Sequence, residues 1–183
     1  MKIKKPFTIL IAMIMSVMMI SGCGSQVDEF VDIGNLNQSS VNVAEGFFQS
    51  IFTGDQELFE ACYPDSFKSY ENMDGQTVDM TEVFNEYRAS TIEDYVYIGA
   101  SLSGYNDYVV ENNYDFPALQ EDISFLHHTD IDSIEQAQIV KLRLNFTNDQ
   151  NEHLTTDAYI LVYKSGSAWY VFELQNSDAE FAV

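Results

Sequence analysis

The sequence predicts an α+β fold, with N-terminal helices packed on a curved antiparallel sheet. Three observations carry this. Apolar residues recur at helical intervals between residues 42 and 90. From Tyr95 onward the period switches to two. The late period-two runs are separated only by short polar or glycine-bearing turns, which make hairpins rather than crossovers. Helices first and a strand meander afterwards place the helices against one side of the sheet.

Asn42 and Glu45 have capping-box spacing, so the first helix is expected to start there. Val43, Phe47 and Ile51, with Ala44, Phe48 and Phe52, form its apolar stripe. Gly54 can close it in the left-handed conformation, and Asp55 can cap the next helix. Leu58, Phe59 and Cys62 give that helix its apolar side, and Pro64 ends it by restricting Tyr63. Asp74-Gly75 marks a turn. Asp79 and Glu82 form another capping box, followed by a third short helix on Val83, Phe84 and Tyr87. In Tyr95 to Leu102, Val96, Ile98, Ala100 and Leu102 alternate with Tyr95, Tyr97, Gly99 and Ser101. Residues 104–133 carry the weakest pattern; a short helix near Asn106–Asn112 and a strand near Ile123–His127 are expected. Residues 138–147 are the clearest strand, with Val140, Leu142, Leu144 and Phe146 on one face. Strands 154–163 and Trp169–Gln175 follow, joined through Asn148–Glu152 and Ser165-Gly166-Ser167. Leu142, Leu144, Phe146, Ile160, Val162, Phe48 and Phe59 are the expected shared core.

The first 23 residues have a separate logic. Lys2, Lys4 and Lys5 precede an apolar run of 14 residues, Phe7 to Ile20. That run is too short to span a bilayer comfortably. Ile20-Ser21-Gly22-Cys23 then resembles the bacterial lipobox, which implies removal of residues 1–22 and lipid attachment at the Cys23 thiol. The alternatives are an uncleaved N-terminal anchor or an ordinary signal peptide with a chance cysteine. The lipobox resemblance implies an extracytoplasmic protein held on the cell membrane by covalent lipid, palmitate included. Residues 23–41 would be the lipidated cysteine and a polar tether, 42–176 the domain, and 177–183 a tail. Behaving as a coil, Gly24 to Ser40 would hold the domain roughly 20–25 Å from the lipid.

From Cys23 onward there are 161 residues, enough for one domain with a core. The chain holds 13 Phe and 11 Tyr, so disorder throughout is excluded. From Cys23 onward five Lys and Arg stand against 29 Asp and Glu, a formal charge of −24. Such a surface repels nucleic acid and anionic headgroups. The acids are spread along the chain, which favours solvation over recruitment of cations or a basic partner. Cys62 is the one cysteine left after Cys23, so no intrachain disulfide or cysteine-based zinc site forms. Its place on a helix stripe suits a buried, inert thiol.

Two stretches resemble the NTF2-like, or cystatin-like cone, superfamily. One runs from Val43-Ala44-Glu45-Gly46-Phe47-Phe48 through Thr53-Gly54-Asp55-Gln56-Glu57-Leu58-Phe59; the other is the closing hairpin, Tyr159 to Val171, with Lys164-Ser165-Gly166 and Trp169-Tyr170. The resemblance implies a cone with a space between helices and sheet. In some members that space is an isomerase or dehydratase site with an Asp or His as acid or base, but no local motif here matches a catalytic position. Adjacent His127-His128 would point to opposite sides of a strand, with Asp130 and Asp132 nearby as a weak acid–base or metal set. His153 lies beside a turn. Asn148 to Glu152 is oxygen-rich but lacks the glycine and distal glutamate of a calcium loop. Tyr95, Tyr97, Tyr105, Tyr108 and Tyr114 could stack on sugars or cover protein. The expectation is therefore a non-catalytic accessory module of the cell envelope. It would have no metal or cofactor and would bind a small ligand or another envelope protein. The alternative is a lipid-anchored isomerase or dehydratase using the cone.

Overall fold

Hydrogen-bond caps decide where the helices begin and end. A computed structural model of the chain describes residues 30–67, 69–71, 75, 77–88, 94–108, 116–127, 131 and 133–175. Helix α1 spans Ser40–Thr53, three residues earlier than the capping-box spacing suggested. Ser39 is the cap: its hydroxyl accepts from Asn42 N at 3.1 Å. Asn42 instead turns its side chain back to donate to Asn35 O. Gly54 closes α1 with φ +82°, and Asp55 caps α2, Gln56–Ala61, accepting from Leu58 N at 3.0 Å. Helix α3, Met80–Arg88, is capped by Asp79, which accepts from Glu82 N. Short strands β1, Ser69–Glu71, and β2, Thr77–Asp79, pair antiparallel on either side of Gly75.

The main sheet has the order β3-β4-β5-β6, all antiparallel. Its strands are β3, Val96–Asp107; β4, Ile134–Thr147; β5, His153–Ser165; and β6, Ala168–Gln175. On one face the register aligns Val140, Leu142, Leu144 and Phe146 with Ile160, Ala158, Thr156 and Leu154. This face receives α1, whose Phe52 ring lies 4.8 Å from Phe146. Leu142, Leu144, Phe146, Ile160, Val162 and Phe59 are fully buried and Phe48 nearly so, as the alternation required.

Three expectations are corrected. The alternation in β3 breaks at a bulge: Tyr97 pairs with Phe146 but Gly99 with Asn145, leaving Ile98 extra. Tyr97 thus turns inward and Val96 outward, the reverse of the simple alternation, and Ala100 returns to the buried face. Residues 106 and 107 belong to β3 rather than to a helix; Tyr108 after them is helical, and the rest of that expected helix, 109–112, lies outside the described residues. Residues 123–127, expected as a strand, belong to helix α4, Phe116–His127. Its Leu119 and Ile123 recur at helical spacing and are buried. A stretch of apolar residues this short fits either period, and packing decided it.

Helix α4 covers the second face of the sheet. Ala137, Ile139, Leu161 and Tyr163 share that face and are all buried. Asp122 of α4 acts electrostatically on Glu173, which lies on the same face through its pairing with Leu161. The helices α1 to α3 therefore pack on one face and α4 on part of the other.

A last difference concerns the segment before α1. It was expected as the end of a tether, yet Ile33–Gln38 is a 3-10 helix capped by Asp32. Leu36 is fully buried. A Cβ on Gly46 would collide with the Leu36 side chain, so the glycine makes room for it. Residues 30–39 are thus a strap laid on the domain.

Candidate functional site

The space between the helical layer and the sheet is where the fold would place a ligand. There Phe52 of α1 meets Tyr97 and Phe146 of the sheet, and beside it rings from α1, α2 and α3 pack against one another. Phe47 lies 5.3 Å from Phe48, 5.6 Å from Phe59 and 5.3 Å from Tyr87. Phe59 in turn lies 5.1 Å from Phe84. Edge-on and tilted contacts of this kind suit aromatic quadrupoles and add to the burial term. Cys62 sits in this core, fully buried, its Sγ directed to Leu58 O at 3.3 Å. Burial pushes its thiol far above the ordinary value, so it stays protonated and unreactive. Ser50 spends its hydroxyl on Phe47 O at 2.7 Å.

The mouth is closed by the strap. Tyr97 is stacked between two near-parallel rings, with Phe30 at 6.0 Å and Phe52 at 5.5 Å. Gln49 reads the strap backbone with both ends of its amide. Its Oε1 accepts from Val31 N at 2.8 Å, and its Nε2 donates to Val31 O at 3.2 Å. Beside the strap, Phe30, Glu45, Gln49, Tyr97 and Ala100 line a shallow, partly open depression. At the far end Asn37 donates to Ala61 O at 3.1 Å and Trp169 O at 2.8 Å. Val171 N donates to Cys62 O at 2.9 Å. These bonds cover part of the outer edge of β6.

Among the described residues, the candidates from the sequence form no common site. Cys23 lies outside the described residues, as do His128, Asp130, Asp132 and Tyr114. His127 ends α4, so the argument from opposite faces of a strand does not apply to it. His153 opens β5 and is exposed. In the Asn148–Glu152 turn, side-chain oxygens of Asn148 and Glu152 are engaged within the turn itself. Asn148 Oδ1 accepts from Gln150 N and Glu152 N, while its amide donates to Glu152 Oε2 at 2.7 Å. Among the described residues no three His, Cys, Asp or Glu side chains group as metal ligands. The tyrosines scatter: Tyr97 is in the core, Tyr95 and Tyr108 are half-buried, and Tyr105 is exposed.

Two polar groupings escaped the sequence reading. On the open half of the second sheet face, Asp157 lies 2.9 Å from Lys141 and 3.3 Å from Arg143. Burial pulls the Asp157 carboxyl up, but hydrogen bonds and charge from both cations outweigh it and hold it below its ordinary value. At the α4 side, burial and Asp122 push the Glu173 carboxyl up against the opposing hydrogen bond from Gln175. Burial, Glu173 and Asp122 likewise raise Tyr108. Strand alternation reveals neither set, because each depends on pairing across the sheet or on α4.

Among the described residues no helix is long and apolar enough to cross a membrane. Comparisons with family models, curated proteins and solved structures find no match.

Proposed function

We propose that the chain is an extracytoplasmic lipoprotein, anchored on the cell membrane through lipid at Cys23. Its NTF2-like domain acts as a non-catalytic binding or accessory module of the envelope. The observation that supports the non-catalytic part is the aromatic packing: Phe52 of α1 meets Tyr97 and Phe146 of the sheet, and Phe47, Phe59, Phe84 and Tyr87 pack together among the helices. With these rings packed together, a partner is expected on the outer surface, and an envelope protein or a small ligand suits it. The anchoring part is supported by the order of charge, apolar run, small residues and cysteine in residues 1–23. Metabolic labelling with a palmitate analogue tests it. Label is expected on the wild-type chain and absent from Cys23→Ala, which accumulates as an unprocessed precursor. Label that persists in Cys23→Ala overturns the anchoring assignment.

A further inference from the structure

The open half of the second sheet face is short of acid. From Lys141 to Thr147 on β4 and from His153 to Tyr159 on β5, every second residue faces out here, and Asp157 is the one acid among them. Solvation alone would put acids on such a face, in a chain with 29 acidic and 8 basic residues. Lys141 and Arg143 both pair with Asp157, so one positive charge is left over. Arg143 meets Asp157 through Nε at 3.3 Å, and its two terminal nitrogens make no hydrogen bond among the described residues. Its side chain is 53% exposed. The guanidinium is therefore held at its root and leaves its fork to solvent. Around it the surface is level and polar. On one side β3 offers Gly99, Ser101 and Gly104 opposite Asn145, Arg143 and Lys141. A Cβ on Gly104 would meet nothing within 4 Å. On the other side Thr155 pairs with Asn145, and Tyr159 pairs with Lys141, whose ammonium lies 5.3 Å from the tyrosine ring.

We propose that this face binds an acidic polysaccharide, with a sugar carboxylate on the Arg143 fork and sugar hydroxyls on Ser101, Asn145 and Thr155. A guanidinium fork takes both oxygens of a carboxylate in parallel bonds. The surplus of one positive charge matches one carboxylate, whereas a phosphate monoester brings nearly two negative charges. Hydroxyl and amide side chains both donate and accept, as sugar hydroxyls do. A sugar chain needs no cavity, because it can lie across a level platform. The face lacks the apolar centre of a stable protein interface: Tyr159 is the one large apolar side chain among the outward residues of β4 and β5. The other carboxylates of the chain repel a polyanion at long range, but at about 0.15 M salt that repulsion is screened beyond about 8 Å. The proposal rests on the outer surface being the binding surface and not on lipid at Cys23, so palmitate labelling is indifferent to its outcome.

Oligomers of polygalacturonate, neutral dextran oligomers and a polyglutamate peptide of matched length are the probes, titrated into the full-length chain at about 0.15 M salt. NMR reads the backbone amides of Ser101, Asn145 and Thr155 and the Nε–H of Arg143. Polygalacturonate is expected to shift these signals saturably at millimolar concentration. Arg143→Gln should weaken binding by about tenfold or more, and Arg143→Lys, which keeps the charge without the fork, should not restore it. Lys164→Gln removes an equal charge at the far end of β5, where Lys164 pairs with Glu135, and should bind as wild type. Dextran and polyglutamate should bind at least about tenfold more weakly than polygalacturonate. Signals that polygalacturonate leaves unmoved, equal binding by Arg143→Gln, or restoration by Arg143→Lys overturns the proposal. So does equal or tighter binding of polyglutamate, which makes the partner an acidic peptide, or of dextran, which makes the charge irrelevant.

Discussion

Gly46 and Gln49 sit on one helix and tie the strap down in different ways. Gly46 lets Leu36 into the core, and any Cβ there meets the leucine side chain. Gly46→Ala is therefore expected to destabilise the domain by about 1–3 kcal/mol despite alanine's better helix propensity. Urea unfolding measures it, and an unchanged midpoint would show that the strap is not seated. Gln49→Ala strands the Val31 N–H and C=O, at a cost of about 1–3 kcal/mol where they are shielded from water. Leu144, fully buried at the centre of the sheet, should cost about 2–5 kcal/mol as Leu144→Ala. The caps at Gly54, Asp55 and Asp79 were legible because each acts within a few residues. Gln49 and Asn37 were not, because their partners lie 18 and 132 residues away and polar side chains leave no period to read.

Among the elements, β3 and α4 divide what local pattern can and cannot decide. The inward face of β4 was readable because nothing interrupts its alternation from Val140 to Phe146. In β3 one extra residue at Ile98 exchanges the faces, and Gly99 there has φ +138°, a conformation that side chains disfavour. In α4 a strand and a helix were equally compatible with a short apolar stretch until the sheet offered Leu161 and Tyr163 as a surface to cover. The docking of α4 should also depend on pH. Glu173 has its folded pKa raised, so its contribution is fully present below the unfolded carboxyl value, 4.5, and fades as pH rises through the raised value. Amide exchange at Leu119 and Ile123 should accelerate, beyond the intrinsic base-catalysed rate, as pH rises above 4.5 through the raised value. Glu173→Gln should remove that extra dependence. Asp157 acts in the opposite sense: its lowered pKa gives stability that is lost as pH falls.

For the molecule as a whole, charge is the dominant fact. Three of the five basic residues after Cys23 lie on the sheet, where Lys141, Arg143 and Lys164 pair with Asp157 and Glu135. The excess carboxylates repel one another in the compact state. Raising ionic strength from about 0.01 M to 0.15 M shortens the screening length from roughly 30 Å to 8 Å. The melting temperature is expected to rise with it. A fall would mean that the three sheet ion pairs outweigh the general repulsion.

The bond from Asn37 to the Trp169 carbonyl has a consequence for how the chain is made. It joins the second residue from the end of the strap's 3-10 helix to the last strand, 132 positions later. During vectorial synthesis the strap emerges first, and its lock emerges almost last. Leu36 can meet Gly46 and Asn37 can reach Ala61 O early, but the bond from Asn37 to Trp169 O cannot form until β6 is out. A nascent chain halted before Ala168 has an unlocked beginning and an uncovered β5 edge together, so a protease added at that stage cuts both. Completion of the final hairpin protects both ends in one step.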